Sequence, residues 1–318
     1  MSVLDKKQKI YINYSVYEGK YFPARPVERV DRLEPGVYTI NVSQEGQLYF
    51  APMSVNSDVL IDLPSFTSRE VIDEVNNFWK PEVRKRFERR GMTYKRGILL
   101  HGSHGTGKSS IIIKLMEEEV KNGGLVFFCP TPDVLSKGAK IIRQIQGDIR
   151  MLVVFEEFEK VLYHDEEGFL SLLDGEMQID NVVYVATTNY IQEVPPRIKD
   201  RPSRFASVIE VPLPNAETRR LFIESKTFPD ENINLEAWVN ATDGMTIDQI
   251  KDLIISVLCI GVNLQDASNK LKSLAEKRDR YTDDDVNPYE GGREGMSKLE
   301  MITKVLGLRS DKGMGYKF

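Results

Sequence analysis

One run, Gly102-Ser103-His104-Gly105-Thr106-Gly107-Lys108-Ser109, sets a lysine and a hydroxyl directly behind three glycines. The spacing fits G-x-x-x-x-G-K-[ST], a loop whose backbone N–H groups cradle phosphates. Gly102, Gly105 and Gly107 can take backbone angles closed to other residues, so several N–H groups can point at one anion. Lys108 is placed to reach the outer phosphates of ATP, and the Ser109 hydroxyl to ligate Mg²⁺. Ser110 completes the set of residues assigned to the nucleotide.

Such a loop needs acids opposite it. Met151-Leu152-Val153-Val154-Phe155-Glu156-Glu157 reads as a buried strand that ends in two carboxylates. Glu156 is assigned to Mg²⁺, directly or through water. Glu157 is assigned to polarising the attacking water. Asn181 to Asn189 reads as another buried strand, and Asn189 falls where a side-chain amide can position water near the γ-phosphate. Arg201 and Arg204 flank Pro202-Ser203 in what reads as a rigid, presented loop. Two uses stay open for it. Arginine at an interface can stabilise transition-state charge on a neighbour's nucleotide, or the loop carries ordinary surface salt bridges.

A parallel sheet would hold these residues. Arg96 to His101 reads as the strand before the glycine loop, and Ser110 to Val120 as the amphipathic helix after it. That helix adds its positive end to the anion site. Leu125 to Phe128 reads as a strand buried on both faces, Val134 to Ile145 as a helix, Gly168 to Gly175 as a helix ended by glycine, and Val208 to Val211 as a strand. Strands alternating with helices predict an α/β fold, a P-loop parallel sheet flanked by helices.

Beyond Pro214 the character changes. Asn215 caps a helix to about Ser225, and Leu235 to Asn240, Thr246 to Val262 and Gln265 to Lys277 read as further helices. Together they predict a small all-helical lid domain. Asp279 to Gly295 reads as a loop, Ser297 to Leu306 as a short helix, and Gly307 to Phe318 as a loose tail. At the other end, Ile10 to Tyr17, Gly36 to Val42, Gln47 to Phe50 and Val59 to Leu63 predict an N-terminal β-rich region. Helices follow from Ser68 to Gly91. The expected division is 1–66 β-rich, 67–214 P-loop domain, 215–290 lid and 291–318 tail.

The 318 residues are 41% hydrophobic and 29% charged, an ordinary composition with enough apolar material for a core. Net charge is -5, so no global basic field points to nucleic acid. Arg84, Lys85, Arg86, Arg89, Arg90, Lys95 and Arg96 form a local basic stretch, read either as a solvated helix face or as a patch for nucleic acid. Cys129 and Cys259 match no metal or disulfide spacing, and three histidines with no Cys/His cluster argue against zinc. A cytoplasmic, reducing location is expected. No apolar run reaches about 18 residues, so no membrane span is expected. The N-terminus shows no signal-peptide core.

These motifs, in this order, resemble AAA+ ATPases of the AAA group, on Thr187-Thr188-Asn189 and Arg201-Pro202-Ser203-Arg204-Phe205. A nearer likeness is to the Bcs1-like branch, on Arg90 to Gly97, Gly107-Lys108-Ser109-Ser110 and Leu172-Leu173-Asp174-Gly175. The resemblance covers about residues 78 to 255. It implies Walker A at Gly102 to Ser109, Walker B at Glu156 and Glu157, and sensor 1 at Asn189. It further implies that Arg201 and Arg204 are arginine fingers acting on the adjacent subunit of a ring, usually a hexamer. The sequence departs from the family at three places, and shares with many of the AAA group the lack of a sensor-2 arginine. Glu156 stands where Asp is usual, and His104 replaces a common proline. Leu135 to Lys140, at the position of the aromatic pore motif, has no aromatic. Gly244 to Gln249 lacks a sensor-2 arginine.

The function so expected is a Mg²⁺-dependent ATPase acting as a ring to remodel or translocate a protein partner. Two alternatives remain. A nucleic-acid motor or loader would use the stretch Arg84 to Arg96. A nucleotide-stabilised assembly scaffold would be consistent with Glu156 and the missing pore aromatic.

Overall fold

A computed structural model describes residues 13–17, 20–24, 30–43, 46–54, 66–128 and 131–283. The strand expected over Val59 to Leu63, the helix over Ser297 to Leu306 and the C-terminal tail lie outside these residues, as does Cys129.

Two hairpins open the chain. Strands β1 (Asn13–Tyr17) and β2 (Lys20–Ala24) pair antiparallel as a sheet of their own. Strands β3 (Gly36–Val42) and β4 (Leu48–Pro52) also pair antiparallel, with Ile40 opposite Phe50. Helices α1 (Phe66–Phe78) and α2 (Pro81–Glu88) come next, with Pro81 at the start of α2, where a missing N–H costs nothing.

The alternating core then runs β5 (Lys95–His101), α3 (Lys108–Lys121), β6 (Leu125–Phe128), α4 (Pro132–Ile145), β7 (Met151–Phe155) and α5 (Phe158–Asp174). It continues with β8 (Val182–Thr188), the single turn α6 (Pro196–Lys199) and β9 (Ser207–Glu210). The main sheet has the order β4-β3-β6-β7-β8-β5-β9 and is parallel from β3 to β9. Helices α7 (Ala216–Lys226), α8 (Leu235–Ala241), α9 (Ile247–Ile254) and α10 (Leu264–Asp283) follow, with a π-turn at Ile255–Cys259.

The α/β architecture is therefore as the alternation of elements predicts. The expected N-terminal boundary at residue 66 does not separate two sheets. Gly36 pairs with Leu125 and Thr39 with Phe128, so β3 and its hairpin partner extend the main sheet. Hydrophobic alternation reveals that a strand is half-buried but not which strand it joins. Two smaller corrections concern helices. The helix read at Gly168 to Gly175 is the end of α5, which begins at Phe158 and kinks at Asp165. The loop expected from Asp279 is helical to Asp283, as part of α10.

Side chains alternate across the sheet, so each strand feeds two cores. Leu99, Phe127, Phe155 and Tyr184 face α4 and α5, packing with Phe158, Phe169 and Leu172. Ile98, Leu100, Val126, Val154 and Val185 face the other way, against Val71 of α1 and Ile111, Ile112 and Leu115 of α3. The residues after 214 form a separate core of Phe222, Ile223, Trp238, Ile250 and Leu253.

Two local features bear on function. The segment Leu135 to Lys140 lies inside α4, with Leu135, Ser136 and Ala139 buried. A side chain at Gly138 would press within 2.9 Å of Ile40, so this stretch is a helix packed on β3. The basic stretch is partly consumed by the fold. Arg84 pairs with Glu88 at 3.0 Å and with Asp148 at 2.8 Å, and Arg96 with Glu74 at 2.6 Å. Lys85, Arg86, Arg89 and Arg90 stay exposed. Among the described residues, no helix is long and apolar enough to cross a membrane.

Candidate functional site

The strands of an open α/β sheet present their carboxyl ends to one crevice, and that is where ligands bind. Here β5 ends in the glycine loop, β7 in Glu156 and Glu157, and β8 in Asn189. The loop needs its glycines. Gly102, Gly105 and Gly107 have φ of 151°, 76° and 103°. At Gly102 a side chain would also collide with the Val211 carbonyl, 2.4 Å away. Thr106 Oγ1 donates to the Ser103 carbonyl at 3.0 Å and braces the turn.

Lys108 opens α3 and is buried. Its Nζ donates to the carbonyls of Gly102 at 2.6 Å and Ser103 at 2.8 Å. Burial lowers its pKa to about 8, against the pull of Glu159 and Asp248. Ser109 hydrogen-bonds the Glu156 carboxyl, whose pKa is raised by burial and, less strongly, by Glu157. Glu157 itself sits at φ 48°, ψ 53°, in the left-handed region where a non-glycine residue is strained. Lys160 Nζ donates to its carboxylate at 2.8 Å. His104 meets Tyr190 edge-on at 5.6 Å, and burial together with Lys108 lowers its pKa.

One cleft of about 290 Å³ gathers His104, Gly105, Gly107, Lys108, Ser109, Ser110, Glu156, Glu157 and Asn189. Of the expected nucleotide and metal residues, Gly102, Ser103 and Thr106 shape the loop without lining the cleft. Arg201 and Arg204 do not reach it. Arg201 is exposed, whereas the Arg204 side chain is only 10% exposed, with Nη1 donating to the Arg197 carbonyl.

Three further residues bear on the site. Thr187 and Asp248 line the cleft. Asp248 comes from the helical unit, where the Ile247 N–H donates to the Gly105 carbonyl at 2.9 Å and sets α9 against the loop. Thr246 and Gln249 form a capping box that marks the start of α9 in the sequence. A search there for a basic residue passes over the acid. Glu159 is buried, and among the described residues neither carboxylate oxygen has a hydrogen-bond partner.

This geometry coincides with a family match. Residues 98–213 match the family described as "ATPase family associated with various cellular activities (AAA)". Curated relatives include the proteasome-activating nucleotidase of Saccharolobus islandicus, 25% identical over 244 residues, covering 64% of this chain and 61% of the relative. The proteasome-activating nucleotidase of Sulfurisphaera tokodaii is 26% identical over 231 residues, covering 63% and 58%. That of Aeropyrum pernix is 26% identical over 208 residues, covering 53% and 46%. The chain thus spans about three-fifths or less of the length of these relatives.

Proposed function

We propose that the chain, whose residues 98–213 match the AAA ATPase family, hydrolyses ATP with Mg²⁺ and works as a ring of copies on a protein partner. The observation that carries this is the cleft lined together by Lys108, Ser109, Glu156, Glu157 and Asn189. Loop N–H groups, Lys108 and the α3 N-terminus bind the phosphates. Glu157 takes the role of polarising water, and Asn189 of orienting it. Ser109 and Glu156 form an oxygen-only pair of the kind a hard cation requires. Ser109 and Glu156 would hold Mg²⁺, which would supply neutralisation of the phosphate charge. The helical unit from residue 215 serves as a lid, placed by the α9 contact with Gly105.

The protein partner is inferred from the relatives, whose name makes them activators of a proteasome. The helical state of Leu135 to Lys140, with Leu135, Ser136, Gly138 and Ala139 buried, favours moving a docked partner over gripping a threaded chain. The Bcs1-like affiliation is retained on Arg90 to Gly97 and Leu172-Leu173-Asp174-Gly175.

Arg201 is assigned to a neighbour's nucleotide, because it is exposed and does not line its own chain's cleft. Arg201→Ala should bind ATP like the parent and lose about 10³-fold or more in turnover. Mixed with Lys108→Ala subunits, it should regain phosphate release, since one neighbour supplies the arginine and the other the intact pocket. A mixed ring that stays inactive would sink the assignment.

The buried lysine also sets a pH dependence. Without nucleotide, Lys108 loses its proton above about pH 8. Phosphates favour the ammonium form, so the bound state holds more protons. ATP affinity should therefore weaken as pH rises through about 8, with proton uptake on binding. Calorimetry in buffers of different ionisation enthalpy measures this. Proton release on binding would contradict it.

A further inference from the structure

We propose that Asp174, at the C-terminal end of α5, is the positioning residue that aims Arg201 out of the chain. The proposal rests on the assignment of Arg201 to a neighbour's nucleotide.

The arginine loop is a tight turn. The N–H groups of Arg204 and Phe205 donate to the Arg201 carbonyl at 2.9 and 3.2 Å, which leaves Pro202 and Ser203 at the tip. Its base is anchored by packing. Phe205 is buried, its ring 5.4 Å from that of Phe158, and the Ala206 N–H donates to the Gly97 carbonyl at 2.9 Å. A side chain at Gly97 would stand 2.0 Å from the Arg204 carbonyl, so the loop lies directly on β5.

The tip is held by one carboxylate. Asp174 Oδ2 accepts from Ser203 Oγ at 2.8 Å and lies 4.0 Å from Arg204 Nε. Its Oδ1 lies 3.9 Å from Lys95 Nζ. Lys95 closes the circle by donating to the Ser203 carbonyl at 2.9 Å and to the Leu173 carbonyl. Two largely covered cations, Lys95 and Arg204, thus share one acid, and each has its pKa lowered by burial.

The two arginines that sequence treats alike therefore divide. Arg204 is turned inside its own subunit, with Nη1 donating to the Arg197 carbonyl and the buried Nε, which makes no hydrogen bond among the described residues, facing the Asp174 charge at 4.0 Å. Arg201 is left exposed at the start of the turn. Removing the charge of Asp174 sets Lys95 and Arg204 against each other beneath the tip. The turn should then shift, and Arg201 with it.

The test uses the full chain and Asp174→Asn, which keeps size and hydrogen bonding but not charge. ATP affinity should match the parent, turnover should fall about 10- to 100-fold, as displacement of a charged group by about 1 Å can do, and Asp174→Glu should recover part of it. Adding Lys108→Ala subunits should restore phosphate release, because the Asp174→Asn pocket is intact. The double variant with Arg201→Ala should be no slower than Arg201→Ala alone, since the two act through one group. Ser203→Ala, at an exposed side chain, removes one bond to Asp174 and should lower turnover in the same sense. It decides the matter if Asp174→Asn does not fold. Loss of turnover in Arg201→Ala with parental turnover in the Asp174 and Ser203 variants overturns this proposal alone. An additive double variant, or a loss that mixing does not repair, overturns it too. Full turnover in Arg201→Ala removes the assignment of Arg201 and this proposal together.

Discussion

Lys108→Ala should weaken ATP binding at least about thirtyfold, and with it abolish turnover at ordinary ATP concentrations. The physical reason lies in the pocket. Lys108 is buried at the start of α3 with its Nζ on the carbonyls of Gly102 and Ser103. It is the cation assigned to the phosphates, and removing one partner of a buried charge pair costs about 2–5 kcal/mol. The alanine also leaves those two carbonyls without their donor, so the loop loses part of its brace. Titration with a fluorescent ATP analogue measures the change. Parental affinity in a folded Lys108→Ala protein would mean that the glycine loop does not hold the phosphates.

Glu157→Gln should do the reverse, holding ATP as tightly as the parent while hydrolysis falls about 10²- to 10⁴-fold, the range for loss of a general base. The amide keeps the shape and the contact with Lys160 but cannot take a proton from water. The strained backbone at Glu157 supports this role over that of Glu156, because strain at a cleft is retained where a side chain must be aimed. Glu156 instead bonds Ser109, the residue assigned to Mg²⁺. Phosphate release and nucleotide retention, measured on the same sample, separate the two acids. Parental turnover in Glu157→Gln would transfer the role to another carboxylate, with Glu159, buried and without a hydrogen-bond partner among the described residues, the next to test.

Much of this site was legible before the fold. The glycine loop is a short-range pattern, fixed by the spacing of residues that must take special backbone angles. The apolar runs Met151 to Phe155 and Val182 to Thr188 show burial on both faces, and their polar ends mark the crevice. What sequence could not show is long-range. Half-buried alternation at Gly36 to Val42 does not name β6 as its partner. Asp248 enters the cleft only because α9 folds back on Gly105, about 140 residues earlier in the chain. Arg201 and Arg204 differ because Asp174 and Arg197 engage the second of them. Such contacts depend on packing, which neither residue type nor spacing encodes. The helix through Leu135 to Lys140 is the opposite case. Its periodicity is plain, and the close approach of Gly138 to Ile40 explains why that position keeps a glycine.

Phosphate release from Mg²⁺-ATP by the purified full chain tests the central claim most directly, with Lys108→Ala and Glu157→Gln measured alongside. The account predicts steady release by the parent, release by neither variant, and ATP retained by Glu157→Gln alone. Release that persists unchanged in both variants, or a parent that neither binds nor cleaves ATP, would contradict it.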